Sequence, residues 1–152
     1  MCRRARGGVR DRGRGRSDSP RAAVDGADVV VTATTATEPV FPGEALSSGA
    51  VVVAIGAYTA EMQELDATTM DRAGRVYADV PEAVAEVGDV VNTGTVPDRL
   101  VPLSSLLAGD DRPPAGEVVV VKSVGSAVLD AAAAEFVLDR ALDGDVGTEV
   151  EL

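Results

Sequence analysis

Four apolar, strand-like runs, three of them valine-rich, constrain the fold more than any other feature of this 152-residue chain. They are Ala27–Thr34 (ADVVVTAT), Ala50–Gly56 (AVVVAIG), Arg75–Asp79 (RVYAD) and Glu117–Val124 (EVVVVKSV). A strand with one wet face alternates polar and apolar residues. Runs that are apolar at successive positions instead suit parallel strands covered by helices on both faces. Between them lie segments with helical signals: Glu64–Ala73, Pro81–Gly88 with proline at its start and glycine at its end, and Pro102–Gly109. The longest helix is expected from about Ser126 to Leu142, with Gly144 as its stop and Val124, Val128, Ala131, Leu138 and Leu142 along one apolar face. Asp110–Gly116 (DDRPPAG) has the proline and glycine content of a turn or surface loop. Strands alternating with helices imply an α/β fold, here a partial Rossmann-type parallel sheet with a long C-terminal helix. A free-standing doubly wound domain has about five or six strands. Four make the region 21–152 read as the second part of something larger.

Residues 1–20 do not share this pattern. The stretch is rich in Arg, Gly and Ser, has no periodicity, and is expected to be a disordered tail. Through Arg21 the chain has eight arginines against two aspartates; the rest has six basic residues against 23 acidic ones, within a net charge of −11. Such a tail can touch nucleic-acid phosphates, or it can be a solvated extension or a stretch that replaced an original N-terminal region through truncation or a frame error. It has no aromatic residue on which a base could stack, and the acidic body would repel a polyanion, so nucleic acid is not the expected partner. The acidic body, with Lys122 as its single lysine, suits a high-salt cytoplasm, where screening removes self-repulsion; a merely acidic cytosolic protein is the alternative. No segment reaches the roughly 18–20 apolar residues of a membrane span, and no signal-peptide core is present. A cytoplasmic location is expected. With no histidine and one cysteine, Cys2, histidine acid–base chemistry, an internal disulfide and a Cys/His zinc site are all excluded, and no metal site is expected.

Parallel α/β sheets bind ligands at the carboxyl ends of their strands. Three of the expected strands end in small residues there: Thr32-Ala33-Thr34, Ala54-Ile55-Gly56-Ala57 and Lys122-Ser123-Val124-Gly125. Such residues let a flat, polyanionic ligand approach the backbone, and the last group precedes a helix whose N-terminal amides favour an anion. Lys122 could face a phosphate or carboxylate, or could simply lead from strand to turn. Glu64 and Asp66 could form a carboxylate pair; capping or beginning the next helix is the simpler reading.

In this order, GADVVVTATTATEPVF, AIGAYTAEMQELD and KSVGSAVLDAAAA resemble successive signatures of the ornithine cyclodeaminase/mu-crystallin family, and the resemblance extends over residues 22–144. It implies a homodimer with a Rossmann-type domain for NAD or NADP and a second domain that binds substrate. It also implies hydride transfer between nicotinamide and an amino-acid or imino-acid carbon. By motif position, Thr34 or its neighbour Thr32 would border the cofactor ribose, and Ala54, Ile55 and Gly56 would line the nicotinamide. Ser123 would close over the cofactor and Val124 over the substrate.

Two departures from the family pattern matter. Tyr58 stands where ornithine-cyclising members carry an aspartate, which favours the alanine dehydrogenase or ketimine reductase branch; the tyrosine could donate a proton or merely pack. The Gly-rich pyrophosphate turn and the basic clamp on the substrate carboxylate, both implied upstream by the resemblance, are not found, since Gly13–Arg16 (GRGR) follows no apolar run. The expectation is therefore a truncated, inactive fragment of an NAD(P)-dependent amino-acid dehydrogenase or imine reductase. A non-catalytic nucleotide- or partner-binding module is the alternative.

Overall fold

A computed structural model describes residues 15–148 and residue 150. All four apolar runs form strands: β1 (Val29–Thr32), β2 (Val51–Ala54), β3 (Val76–Ala78) and, after an additional strand β4 (Leu100–Pro102), β5 (Val119–Lys122). Strand β4 was not expected. It has three residues, ends in proline and lies between a 3-10 turn and a helix, too short to show a period. The five strands make one parallel sheet in the order β1-β2-β5-β3-β4. The last strand thus enters between β2 and β3, and Thr32, Ala54, Lys122 and Ala78 form one transverse row at the carboxyl edge.

The helices form where caps and proline permit. Helix α1 (Pro20–Val24) has Pro20 at its first position and is capped by Ser19, whose Oγ accepts from the Ala22 amide; ordered structure therefore begins inside the region read as a tail, of which residues 1–14 lie outside the described residues. Helix α2 (Ala67–Arg72) is capped by Asp66, which accepts from the Thr69 amide at 2.7 Å. Of the helix expected over Pro81–Gly88, only α3 (Pro81–Val84) forms, and Gly88, its expected stop, instead begins α4 (Gly88–Val91) after extended backbone at Val87. Helix α5 (Leu103–Ala108) ends before Gly109. Helix α6 (Ala127–Gly144) includes Gly144 as its last residue, and it is Asp145 that takes the left-handed cap, with φ 50°.

The two sheet faces differ. On one, Val30, Val52, Val120 and Val76 pack with Met70 and Ala73 from the α2 region, Val84, Val87 and Val90 from the α3–α4 region, and Phe41 and Leu46, forming the core. On the other, Val29 and Val31 are exposed, and Val51, Val53, Val119 and Val121 are half-buried. Burial on both faces is complete only at β3, where Tyr77 is covered and its hydroxyl donates to Asp111 at 3.2 Å. Helix α6 has no buried residue, so the apolar positions expected to face a core, such as Val128, Leu138 and Leu142, are exposed. Among the described residues, no helix is long and apolar enough to cross a membrane.

Candidate functional site at the carboxyl edge

The three small-residue strand ends meet at one edge, because β1, β2 and β5 are neighbours in register. Three carboxylates hold them there. Glu64, fully buried, lies in the segment between β2 and α2 and accepts four hydrogen bonds: from the Thr32 hydroxyl at 2.9 Å, the Thr34 amide at 2.7 Å, the Thr34 hydroxyl at 2.8 Å and the Gly56 amide at 2.8 Å. One side chain thereby joins the ends of β1 and β2. Gly56 must be glycine for reasons of space: a Cβ there would overlap the Thr34 backbone and the Glu64 carboxylate.

The second carboxylate is Asp89 of α4, also fully buried. Its Oδ1 accepts from the amides of Glu64 at 2.6 Å and Leu65 at 2.8 Å, which fixes the segment carrying Glu64. Its Oδ2 accepts no hydrogen bond among the described residues but lies 3.2 Å from the Lys122 ammonium, itself fully buried. Lys122 Nζ also donates to the carbonyls of Ala57 at 2.6 Å and Ala54 at 3.4 Å. The lysine that could have faced a ligand is therefore directed inward and ties the end of β5 to the end of β2.

Asp79, just after β3, is the third. It accepts from the Ser123 hydroxyl at 2.6 Å and from the amides of Val80 at 2.8 Å, Val124 at 3.2 Å and Gly125 at 3.1 Å. Gly125 has φ 84°, a conformation that few side chains tolerate, and this turns its amide back onto Asp79. The amides of Val124 and Gly125, just ahead of α6, are thus occupied by a carboxylate of the chain itself.

Burial pushes the Glu64 carboxyl up, but the hydrogen bonds from Thr34, Gly56 and Thr32 outweigh it and leave the group below the usual carboxylate range. The same balance holds at Asp79: burial raises it, while the Ser123 hydroxyl and the Val124, Val80 and Gly125 amides bring it down on balance.

These contacts sort the sequence-derived site residues. Thr32 and Ala54 are buried and lie beneath the edge. Thr34 and Ile55 are exposed, Ile55 at 47%, while Gly56, Ser123 and Val124 are half-buried. The accessible surface is therefore one of small residues and a single exposed isoleucine, which suits a flat ring laid against backbone. Nearby, between the start of α6 and α5, a pocket of about 300 Å³ is lined by Asp79, Leu103, Leu107, Ser126, Val128 and Leu129. Tyr58 is exposed, and Asp66 is the α2 cap rather than one of a carboxylate pair. Among the described residues no group of three or more His, Cys, Asp or Glu side chains is placed to hold a metal. In the sequence Glu64 reads only as a helix cap or one of a carboxylate pair, and Asp89 and Asp79 do not stand out; the structure makes all three builders of the edge. The signal for them was an excess of hydroxyl donors at the strand ends, which require acceptors once buried.

Residues 10–145 match the family model described as the ornithine cyclodeaminase/mu-crystallin family, a match that starts inside the Arg/Gly-rich stretch. The chain is 35% identical over 140 residues to Delta(1)-pyrroline-2-carboxylate reductase of Bacillus cereus, covering 87% of this chain and 43% of that protein. It is 39% identical over 122 residues to the ketimine reductase mu-crystallin of Mus musculus, covering 80% and 38%. Among solved structures, it is similar to the Delta(1)-pyrroline-2-carboxylate reductase of Thermococcus litoralis in complex with NADH and L-proline, with a TM-score of 0.73, 31% identity and coverage of 88% of this chain and 44% of that one. It is also similar to an archaeal alanine dehydrogenase dimer with bound NAD, with a TM-score of 0.69, 28% identity and coverage of 88% and 43%. The chain spans less than half the length of each of these relatives.

Removing Lys122 alone leaves Asp89 buried without a counter-charge, so Lys122→Met is expected to cost about 3–5 kcal/mol in urea unfolding. Adding Asp89→Asn keeps the acceptor for the Glu64 and Leu65 amides and removes the stranded charge, so the double variant should regain much of that loss; simple additivity of the two changes would show that the ions do not interact. Glu64 and Asp79 have lowered folded-state pKa values, so each stabilises the fold above its unfolded pKa, and that contribution disappears as pH falls through the folded value. Unfolding free energy measured from about pH 5 down to about pH 3 should fall. The fall should be shallower in Asp79→Asn, and an unchanged slope in that variant would contradict the assignment.

Proposed function

The chain belongs to the ornithine cyclodeaminase/mu-crystallin family, and from that premise we propose that it is the nicotinamide-facing part of an NAD(P)-dependent imine reductase or amino-acid dehydrogenase, similar to alanine dehydrogenase, without turnover of its own. The observation that supports this best is the knitted edge of β1, β2 and β5, where Thr34, Ile55, Gly56 and Ser123 share one accessible border. A relative of known structure holds NADH and L-proline, and another holds NAD.

When bound, the nicotinamide supplies or takes the hydride. Thr34, Ile55, Gly56 and Ser123 would form the wall against which its ring rests, with Thr32 and Ala54 supporting that wall from below. Val124 would face a small amino-acid or imino-acid substrate. The hydroxyls of Thr34 and Ser123 already donate to Glu64 and Asp79, so each offers a ligand its remaining acceptor capacity; a ligand hydroxyl would donate to them. Exposed Tyr58, at the position of the aspartate in ornithine-cyclising members, favours imine reduction or amino-acid oxidation over cyclisation. A homodimer in the cytoplasm is the assembly proposed for the whole protein.

Among the described residues no Gly-rich turn follows a strand and no basic clamp faces the edge, and the buried Lys122 is committed to Asp89. Correct positioning of reactants supplies roughly 7–11 kcal/mol of a barrier, and these are the groups that would provide it. A non-catalytic nucleotide- or partner-binding module is the second reading, favoured by the internal satisfaction of the edge. The test is an NADH fluorescence titration in high salt, together with assays of alanine oxidation and of pyruvate reduction with ammonia. Weak, saturable NADH binding with no turnover is expected. Turnover would refute the inactive reading, micromolar binding without turnover would select the module, and no binding at all would refute the cofactor assignment.

A further inference from the structure

Lys122 carries a buried charge that the wall of small residues does not itself use. An apolar residue of similar volume could stand in a covered strand at little or no cost, because desolvation of a buried ion pair offsets its attraction. Yet the ammonium is set among three acceptors: Asp89 Oδ2 at 3.2 Å, the Ala54 carbonyl at 3.4 Å and, nearest, the Ala57 carbonyl at 2.6 Å. Ala57 is fully buried, whereas the next residue, Tyr58, is 62% exposed. The chain therefore leaves the interior within one peptide unit, and Lys122 holds the inner end of that unit. A peptide is planar and trans, so a carbonyl drawn inward turns the amide on its other side, that of Tyr58, away from the lysine. Among the described residues this amide donates to no acceptor of the chain. Just beyond it the backbone is pinned again. The Thr59 carbonyl accepts from the amides of Gly88 at 3.0 Å and Met62 at 3.3 Å, and a Cβ at Gly88 would overlap the carbonyls of Met62 and Ala60. Tyr58 thus lies on a short stretch fixed on both sides, two residues past Gly56.

We propose that Lys122 is a positioning residue and the Tyr58 amide a ligand-binding group. The lysine orients and polarises the Ala57–Tyr58 peptide, so that its N–H is presented to a carbonyl or carboxylate oxygen of a molecule bound at the carboxyl edge. A cation on the carbonyl oxygen makes the N–H of the same peptide a stronger donor, since hydrogen bonds in series polarise one another. Asp89 holds the ammonium through one oxygen and the amides of Glu64 and Leu65 through the other, which links this donor to the segment that joins the strand ends. The proposal rests on the reading of the edge as a nicotinamide and imino-acid site. Two ligands there carry the required oxygen: the nicotinamide in its carboxamide, and the amino or imino acid in its carboxylate.

The experiment follows the Tyr58 amide of the whole chain by heteronuclear NMR during separate titrations with NADH, ADP-ribose and L-proline. ADP-ribose lacks the nicotinamide. A downfield shift with NADH and none with ADP-ribose assigns the amide to the carboxamide; a shift with L-proline assigns it to a carboxylate. The double variant Lys122→Met/Asp89→Asn removes the ion pair without stranding a charge. It is expected to retain most of the parent's resistance to urea, yet to bind the shifting ligand at least fivefold more weakly and with a smaller Tyr58 shift at saturation. Equal affinity and shift in that variant would reduce Lys122 to a structural role and overturn the proposal. The carbon resonance of the Ala57 carbonyl gives a check that needs no variant: it moves with the Tyr58 amide if one polarised peptide links lysine to ligand, and a fixed resonance contradicts the link. An equal shift with ADP-ribose, or none with any of the three, would also overturn the proposal. If NADH then still binds by fluorescence, the cofactor reading survives alone; if nothing binds, both fall.

Discussion

The hydrogen bonds to the Glu64 carboxylate are the interaction on which this edge depends. Beyond the last ladder bond, strand ends have no partner of their own, and here loops from different strands must converge to make a surface. A buried carboxylate is costly to desolvate unless its lone pairs are filled, and four donors from Thr32, Thr34 and Gly56 fill them. Because those donors come from two strands, satisfying the charge is the same event as joining the strand ends. Asp89 then fixes the segment that carries Glu64, and Lys122 both pairs with Asp89 and donates to the carbonyls of Ala54, at the end of β2, and Ala57 just beyond it. In a low-dielectric setting such bonds reinforce one another, and a single missing partner is expensive.

The strands were legible in their positions, although cover on both faces, expected for all of them, is complete only at β3. Three runs carry valine at successive positions and the fourth, Arg75–Asp79, carries Val-Tyr-Ala; all four contain strands. Strand β4 was not legible, since Leu-Val-Pro has neither length nor period and is held only by pairing with β3. The long helix was legible in its extent but not in its surroundings. Its apolar residues predicted a packed face, whereas none of them is buried, and local spacing carries no information about whether a partner surface exists.

The site was half legible. Its accessible rim, Thr34, Gly56 and Ser123, followed from where parallel strands end. Its support did not. In a chain with 25 acidic residues, three internal carboxylates look like surface charge. Glu64 sits two residues before the true helix cap, Asp66, and only burial separates their roles. Lys122 was a better clue: a lone lysine at the end of a valine strand needs a counter-ion wherever that strand is buried, and Asp89 provides it. Among the described residues the sheet is covered on the core side and open on the valine side, so the knitted carboxyl edge coexists with an uncovered apolar face.

Amide hydrogen exchange at Thr34, Gly56, Val124 and Gly125 tests the knitted edge most directly. All four lie past strand ends, where loop amides ordinarily exchange quickly, yet each donates to Glu64 or Asp79. If the carboxylates hold the edge, these amides are protected to nearly the same degree as those of β2 and lose that protection together as the acids protonate. Exchange at the rates of unprotected loops at neutral pH would contradict it.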